Sequence, residues 1–202
     1  MEYWDIYDEN KQPTGRTMKR NDWCLKDGEY HLTVLGVVAR QDGTFLITKR
    51  VMTKAWAPGW WEVSGGAAQA GEESRDAVLR EVKEETGYTL TSYRFCGIVT
   101  FVSGNGVTEY MHLFTADGFE GEPIACDEGE LEWVDIEEVW HLNIWEGDKI
   151  FFWLMQHDAP FFSLRLEYVG DELVSYSLNG IYHRQKAEGQ SMYQEFLDTY
   201  RS

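Results

Sequence analysis

The apolar residues of this chain occur in short segments, some with the spacing of strands and others with the spacing of helices. Residues 31–40 (HLTVLGVVAR) are almost continuously apolar, which predicts a buried strand. Asp42-Gly43 predicts a two-residue hairpin turn, after which residues 44–50 (TFLITKR) return as a second strand. The same criteria predict the remaining strands, which cover residues 93–102 and 107–116 around Gly104-Asn105-Gly106, 131–134, and 161–169 with 173–178 around Gly170-Asp171.

Helical spacing is present in four other segments. Residues 73–86 carry apolar side chains on one side, with Gly71 before the segment and Gly87 where a left-handed cap glycine belongs. Residues 136–139 and 147–157 are also predicted to be helical, and Met192, Phe196 and Tyr200 recur at spacings of four in the tail. Strands that flank such helices predict an α/β protein of the α+β type, with a mixed sheet between helices.

The length of 202 residues fits one domain, which we expect to cover residues 1–202. Within it, residues 1–28 form an extension in which residues 3–8 read as a strand and residues 9–15 as its turn. Residues 186–202 form the tail helix. We expect this helix to pack on its own domain or on a second subunit, so a homodimer is one expected state.

Composition narrows the possible partners and the compartment. The chain has 35 acidic and 18 basic residues, a net charge of −17, which disfavours binding to polymeric nucleic acid but not to single nucleotides. It contains no run of 18 apolar residues, and its acidic start lacks the apolar core of a secretion signal. The three scattered cysteines are then expected to be reduced thiols in a cytoplasmic protein.

Three glutamates cluster on the helix predicted over residues 73–86. Glu81, Glu84 and Glu85 fall within an arc of roughly 100°. At separations near 5 Å, each pair of carboxylates repels by roughly 3 kcal/mol, so a cation between them is favoured. Mg²⁺ prefers such oxygen ligands and keeps other positions for water and phosphate. The alternative is a solvated helix face in which Arg80 and Glu84 form an ordinary ion pair.

The spacing around these glutamates is highly specific. Gly66 is followed after five residues by Glu72, and after seven more by the run Arg80-Glu81-Val82-Lys83-Glu84-Glu85-Thr86-Gly87-Tyr88. Seven fixed positions match by chance on the order of once in a million in a chain of this length. This pattern resembles the Nudix box, the motif of hydrolases that cleave diphosphate linkages with bound Mg²⁺. The resemblance implies the Nudix fold, an α/β/α sandwich.

The resemblance also implies roles for individual residues of the box. Glu81 and Glu85 look like the main Mg²⁺ ligands, for which Mn²⁺ substitutes, and the Gly66 carbonyl looks like a backbone ligand. Glu84 looks like a further ligand or the residue that orients the attacking water. Glu72 and Arg80 look like a structural ion pair, with Gly87 as the end of the helix. Two positions depart from the family pattern, Tyr88 in place of an aliphatic residue and Ser64 in place of proline.

A second resemblance covers residues 127–180, whose layout is similar to hydrolases of oxidised purine nucleoside triphosphates such as 8-oxo-dGTP. It implies that Trp145 stacks on the base, that Asp148 reads the purine edge, and that Phe151 closes the pocket. Gly147 stands where that family often has an acidic residue. The alternative is that Trp145 and Phe151 belong to the core and that Asp148 is a helix N-terminal charge.

Four further residues are candidates for roles near a diphosphate. Glu128 and Glu130 lie where Nudix enzymes often supply another metal-binding or basic carboxylate, and we favour Glu128 over a plain surface charge. Arg50 and Lys54 follow the second predicted core strand and are candidates to hold a phosphate, Arg50 being the better placed.

The N-terminal half is similar to isopentenyl-diphosphate isomerases and their hydrolase-like relatives, through residues 5–9 (DIYDE), Thr14-Gly15 and residues 28–31 (GEYH). These isomerases need a cysteine before the box and metal-binding histidines. Here that loop reads WEVSGGAAQ, without cysteine or histidine, and His31 alone matches.

We therefore expect a Mg²⁺-dependent hydrolase in which water attacks a diphosphate linkage of a nucleoside diphosphate-X substrate. A purine nucleoside triphosphate is the first candidate substrate. ADP-ribose, a nucleotide sugar or a prenyl diphosphate is the alternative, and an isomerase-like protein or a non-catalytic ligand sensor is a third.

Overall fold

The computed structural model describes residues 1–53, 57–104, 108–126, 129–184 and 188–201. These residues form twelve strands and four helices. In chain order they are β1 (Tyr3–Tyr7), β2 (Pro13–Lys19), β3 (Tyr30–Val38), β4 (Thr44–Arg50), β5 (Trp61–Glu62), β6 (Ser64–Ala67), α1 (Ser74–Thr86), β7 (Thr89–Ser103), β8 (Thr108–Glu120), β9 (Gly129–Asp135), α2 (Ile136–Val139), α3 (Glu146–Gln156), β10 (Phe162–Val169), β11 (Glu172–Leu178), β12 (Ile181–His183) and α4 (Met192–Tyr200).

The chain divides into two compact units, and the division falls inside β3, β7 and β8. The first unit comprises Met1–Leu32, Cys96–Met111 and Trp145–Ser202, and the second comprises Thr33–Phe95 and His112–Ile144. Strands and helices are mixed in both units, and parallel and antiparallel pairings both occur. The predicted α+β class with a mixed sheet is confirmed. The single domain over residues 1–202 stays a prediction.

In the first unit, β10 is the strand on which α3 is supported. It pairs in parallel with β7, from Phe162 opposite Gly97 onward, and antiparallel with β11, which pairs in turn with β12. Alternate β10 residues are buried, including Leu166 and Tyr168, as the period of a half-buried strand requires. The predicted hairpin over residues 161–178 and the predicted tail helix are therefore both present, as β10–β11 and α4.

The N-terminal extension also belongs to the first unit. β1 pairs antiparallel with β2 and with the start of β3, where Ile6 lies opposite His31. The His31 side chain is 2% exposed, with its ring stacked on Trp4 at 5.1 Å and edge-on to Trp23 at 5.5 Å. Its Nε2 lies 3.3 Å from a carboxylate oxygen of Glu109. The histidine that matches the isomerases is thus part of a buried aromatic cluster.

In the second unit, the predicted hairpin between residues 31–40 and 44–50 is wrong in its pairing. The turn forms, since the Arg40 amide donates to the Thr44 carbonyl at 2.9 Å. However, β4 pairs with β9 along its length and with β5, and it meets the preceding segment only at one bridge, between Ala39 and Phe45. The physical reason is that β6 takes the place beside β3, pairing with it from Thr33 to Gly36.

Helix α1 begins one residue later than predicted and ends where predicted. Glu73 is its N-cap, and Gly87 adopts a left-handed conformation with φ of 83°, which favours glycine. Ala77, Val78 and Val82 are fully buried, so the apolar stripe faces the core. A Cβ added at Gly36 of β3 would lie 2.6 Å from Val82 Cγ2. The absence of a side chain at Gly36 therefore lets α1 pack directly against β3.

Several elements were not predicted from the sequence. β2 overlaps the segment read as a turn, β12 lies in a segment for which no element was predicted, and β5 and β6 lie in a segment read as a loop. The turn predicted around Gly104-Asn105-Gly106 falls partly outside the described residues. Among the described residues, no helix is both long and apolar enough to cross a membrane.

Replacing Gly36 with alanine is expected to destabilise the protein by about 2 kcal/mol, because the new methyl group overlaps Val82 and crowds Val78. Chemical denaturation monitored by circular dichroism measures this change. Gly104→Ala is the control, because among the described residues the atom nearest to a Cβ added there is the Tyr168 carbonyl oxygen, at 3.8 Å. Equal stability of the two variants would show that α1 does not rest on Gly36.

Candidate functional site

Two glutamates of α1 reach the same pair of glycines on β6. The Gly65 amide donates a hydrogen bond to Glu85 Oε2 at 3.1 Å. The carboxylate of Glu81 lies directly against Gly66. The two glutamates are one helical turn apart and share a face of α1. Their carboxylates therefore converge on one short stretch of backbone in the second unit.

This convergence depends on the missing side chains of the two glycines. A Cβ added at Gly66 would lie 2.6 to 2.7 Å from the Glu81 carboxylate atoms, closer than real Cβ atoms come. A Cβ added at Gly65 would lie 2.2 Å from the Val34 carbonyl oxygen on β3. Gly65 therefore allows β6 to approach β3, and Gly66 leaves the space that the Glu81 carboxylate fills.

Arg80 is the cation that holds this part of α1 to the loop before it. Its Nε and Nη2 donate to the two carboxylate oxygens of Glu72 at 2.9 and 2.8 Å, a bidentate pair. Nη2 also donates to the Ala67 carbonyl oxygen at 3.2 Å. Nη1 donates to Glu81 Oε1 at 2.6 Å and, more weakly, to Glu84 Oε2 at 3.4 Å. One guanidinium thus binds three carboxylates and the end of β6.

Each partner in the Glu72–Arg80 pair favours the charged form of the other. The hydrogen bonds from Arg80 hold the pKa of the Glu72 carboxyl below its ordinary value, although partial burial opposes this effect. The same bonds to Glu72, aided by Glu81, raise the pKa of the Arg80 guanidinium. The pair is therefore ionised at neutral pH. The structural ion pair that the box resemblance implies is present between Glu72 and Arg80.

The three clustered glutamates differ in their exposure. The Glu81 side chain is 14% exposed and the Glu84 side chain is 62% exposed, while Glu85 is half-buried. Glu81 and Glu85 are held by the backbone and by Arg80, whereas Glu84 extends toward solvent. Such a carboxylate is accessible to water and to a ligand.

The donors gathered here suit a hard divalent cation. They are the carboxylate oxygens of Glu81, Glu84 and Glu85 and the carbonyl of Gly66, all oxygen ligands. The cradle at Gly66, which a Cβ would fill, already accommodates the Glu81 carboxylate. In the conformation described, no group of three or more His, Cys, Asp or Glu side chains in the described ranges is placed to hold a metal ion.

The departures from the box pattern are accommodated by local packing. Tyr88 is 5% exposed and meets Phe119 and Trp133 at ring separations of 4.8 and 6.1 Å. An aromatic side chain fits at the end of the box because its neighbours are aromatic too. Ser64 is buried at the start of β6, where it pairs with Gly36. Neither departure removes a carboxylate or a glycine from the site.

The two candidate phosphate-binding residues, Arg50 and Lys54, and the two candidate carboxylates, Glu128 and Glu130, lie outside the box. Arg50 donates to Glu62 Oε1 at 2.6 Å, and its side chain is only 13% exposed, so this guanidinium is already engaged by a carboxylate. Glu130 is exposed on β9, opposite Lys49 of β4. Glu128 and Lys54 lie outside the described residues.

The candidate base-binding residues lie at the start of α3 in the first unit. Trp145 is the N-cap residue and is half-buried, and Asp148 is in the first turn. The Trp145 ring stands perpendicular to the Tyr168 ring at 5.8 Å, and the Gly147 amide donates to the Tyr168 hydroxyl at 2.8 Å. Burial, and secondly the charge of Asp148, raises the pKa of the Tyr168 phenol, so this group stays neutral.

Phe151 does not line a pocket as the sequence led us to expect. Its side chain is completely buried, with its ring 5.1 Å from that of Phe152, so it belongs to the core of the first unit. The structure also explains the glycine at position 147. A Cβ there would lie 2.5 Å from Leu166 and 2.8 Å from the Tyr168 hydroxyl. An acidic side chain at this position would collide with β10.

The sequence analysis did not identify the residues and backbone groups that hold the candidate site residues in place. Tyr168 lies against Trp145 and accepts a hydrogen bond from the Gly147 amide, but in the sequence it was only one residue of a predicted strand. Glu62, the partner of Arg50, carried no motif signal. The Gly65 amide and the Ala67 carbonyl are backbone groups, whose use in hydrogen bonds a sequence pattern does not reveal.

Three comparisons with known proteins show which family this chain resembles. The sequence model of the NUDIX domain matches residues 29–154. The chain is 33% identical to the uncharacterized Nudix hydrolase YvcI of Bacillus subtilis over 127 residues, 60% of this chain and 80% of that protein. It is 35% identical to an oxidized purine nucleoside triphosphate hydrolase of Danio rerio over 132 residues, 64% and 81% of the two chains. A crystal structure of a mutator MutT protein from Bacillus halodurans superposes with a TM-score of 0.66 at 30% identity, covering 73% of this chain and 97% of that one.

Replacing Arg80 with methionine is expected to lower the free energy of unfolding by about 2 kcal/mol, because Glu72 and Glu81 lose a partly buried cation. Arg80→Lys keeps the charge but loses the bidentate geometry, so its free energy of unfolding is expected to lie between those of the native protein and Arg80→Met. Urea denaturation at neutral pH measures the change.

Arg75→Met on the same helix is the control for Arg80→Met. The Arg75 side chain is 66% exposed and pairs only loosely with the exposed Asp76, so its loss should cost less than about 0.5 kcal/mol. Similar losses at positions 75 and 80 would contradict the role given to Arg80.

Proposed function

Since this chain belongs to the NUDIX domain family, we propose that it is a Mg²⁺-dependent pyrophosphohydrolase whose substrates are purine nucleoside triphosphates, including oxidised ones. Water attacks a diphosphate linkage, and two phosphorylated products leave. The observation that carries the proposal is the convergence of Glu81 and Glu85 on Gly65-Gly66, with Arg80 tying the helix to the preceding loop.

The proposed metal ligands are the Gly66 carbonyl and the carboxylates of Glu81, Glu84 and Glu85. When bound, a divalent ion supplies positive charge that neutralises the diphosphate and stabilises charge developing on its oxygens. Mg²⁺ is the proposed ion, with Mn²⁺ as a substitute, because the donors are all oxygen atoms. Gly65 fixes Glu85 through its amide, and Arg80 fixes Glu81.

Glu84 is proposed to orient the attacking water and to accept its proton. It is the most exposed carboxylate of the three, and its contact with Arg80 is long, at 3.4 Å, so it is the one most open to solvent. General base catalysis of this kind contributes roughly 10²- to 10⁴-fold to a rate. Glu128 is the alternative base proposed from its position in the sequence.

The proposed substrate class rests on the start of α3. Trp145 and Asp148 supply a half-buried aromatic surface and a carboxylate three residues apart, which suits stacking on a purine and hydrogen bonding to its edge. Stacking of a base on an aromatic side chain contributes roughly 1–3 kcal/mol. The zebrafish relative, named for hydrolysis of oxidized purine nucleoside triphosphates, supports the same class.

A screen of diphosphate compounds with the purified protein tests this substrate class. With Mg²⁺, purine nucleoside triphosphates and 8-oxo-dGTP are expected to be hydrolysed with a higher kcat/KM than pyrimidine ones, measured by product chromatography. Removal of divalent ions with EDTA is expected to abolish turnover, and Mn²⁺ to restore it. Turnover of ADP-ribose or a nucleotide sugar with inert purine triphosphates would assign the protein to a different substrate class.

Glu84→Gln is expected to lower kcat by at least about 100-fold, because the amide cannot accept a proton. Its midpoint of thermal unfolding should change little, because the side chain is mostly exposed. Asp76→Asn is the matched control, an exposed acidic residue of the same helix that should keep nearly full activity. A Glu84→Gln enzyme as active as this control would remove Glu84 from the mechanism.

A further inference from the structure

The C-terminal helix α4 lies beyond the matched residues 29–154, yet it contacts the start of α3 directly. Glu146, the first residue of α3, accepts a hydrogen bond from the Tyr193 amide at 2.6 Å. Tyr193 is in the first turn of α4, where backbone amides lack partners within their own helix. A carboxylate is favoured there by both the hydrogen bond and the helix dipole.

Two apolar side chains of helix α4 anchor it in the first unit. Met192 and Phe196 have no exposed surface. The Phe196 ring stands perpendicular to that of Trp153 on α3 at 5.2 Å and lies 5.7 Å from the Tyr176 ring on β11. α4 is therefore packed against α3 and the sheet at once, and its first turn is a fixed donor for Glu146.

Polar contacts hold the rest of α4. His183 on β12 lies 3.2 Å from Glu195 Oε1 through Nδ1 and 3.2 Å from the Tyr200 hydroxyl through Nε2, and its ring stacks on Tyr176 at 4.6 Å. Ser191 caps the helix by accepting from the Gln194 amide at 3.1 Å. These contacts cover both ends of the helix, so little freedom is left to its first turn.

The start of α3 is consequently held from two directions. Tyr168 on β10 lies against Trp145 and accepts a hydrogen bond from the Gly147 amide. The intervening residue, Glu146, is held by the Tyr193 amide of α4. The segment 145–148 contains both residues proposed to bind the base. Side chains that bind a ligand lose less entropy on binding when their backbone is already fixed.

We propose that Glu146 is a positioning residue for the nucleobase: by binding the first turn of α4, it fixes the segment that presents Trp145 and Asp148. The proposal rests on the proposed function, since it assigns Glu146 to the affinity for the purine and not to the chemistry at the glutamates of α1. Glu146 acts through α4 and needs no contact with the substrate.

The test compares steady-state kinetics of Glu146→Ala, Glu146→Gln and the native enzyme with a purine nucleoside triphosphate. Glu146→Ala is expected to raise KM about tenfold, which corresponds to 1.4 kcal/mol, and to leave kcat within about twofold. Glu146→Gln keeps an oxygen acceptor of the same reach for the Tyr193 amide, so it is expected to restore most of the native KM. The KM for a pyrimidine nucleoside triphosphate should change much less, because the fixed segment serves the purine.

Glu138→Ala is the matched control, an exposed glutamate on the short helix α2 that is expected to leave both constants unchanged. Equal KM values for Glu146→Ala and native enzyme would overturn the proposal. So would a loss of kcat without a change in KM, or a Gln variant as impaired as the Ala variant, because each would indicate a role other than holding α4.

Hydrogen exchange of the unliganded protein separates this proposal from the proposed function. Glu146→Ala is expected to speed amide exchange in residues 145–150 and 192–197 relative to Glu138→Ala. Unchanged exchange would refute the link between α4 and α3 whatever the substrate is. Faster exchange in a protein that does not hydrolyse purine triphosphates would preserve the link and reject the substrate class.

Discussion

Repulsion among carboxylates on one face of a helix is the constraint on which the rest of the site depends. Glu81, Glu84 and Glu85 are close together on α1, and the protein offsets their charge with the guanidinium of Arg80 and with the backbone amide of Gly65. A carboxylate held in this manner has a fixed orientation. The arrangement keeps negative charge concentrated at one place, which is what a divalent cation requires.

Backbone approach is the second requirement, and glycine provides it. Positions 36, 65 and 66 each lack the side chain that would separate β3, β6 and α1. The same reasoning applies at Gly147, where β10 and α3 come together and any side chain would displace Leu166 and the Tyr168 hydroxyl. In each case glycine is needed because a neighbouring strand or side chain occupies the space of a Cβ, and not because of its own conformational freedom.

The sequence predicted the local features of this protein well, because they depend on spacing along one segment. The end of α1 at Gly87, the tail helix and the hairpin over residues 161–178 follow from periodicity and turn chemistry. Predictions failed where partners come from elsewhere in the chain. β4 pairs with β9 because β6 has taken the place beside β3. The burial of Phe151 depends on residues from other elements of the core. The hydrogen bond from the Tyr193 amide to Glu146 joins residues 47 positions apart, so no pattern within one segment indicates it.

The parallel pairing of β10 with β7 has a consequence for the order in which the chain assembles. The ladder joins strands that are far apart in sequence, with α2 and α3 between them, so a long loop must close before it can form. The contacts among β6, the loop after it and α1 join residues only 8 to 20 positions apart, so they close much shorter loops. We expect the carboxylate-bearing segment to become ordered early in folding, and the segment that carries Trp145 to be completed only when β10 and α4 have docked.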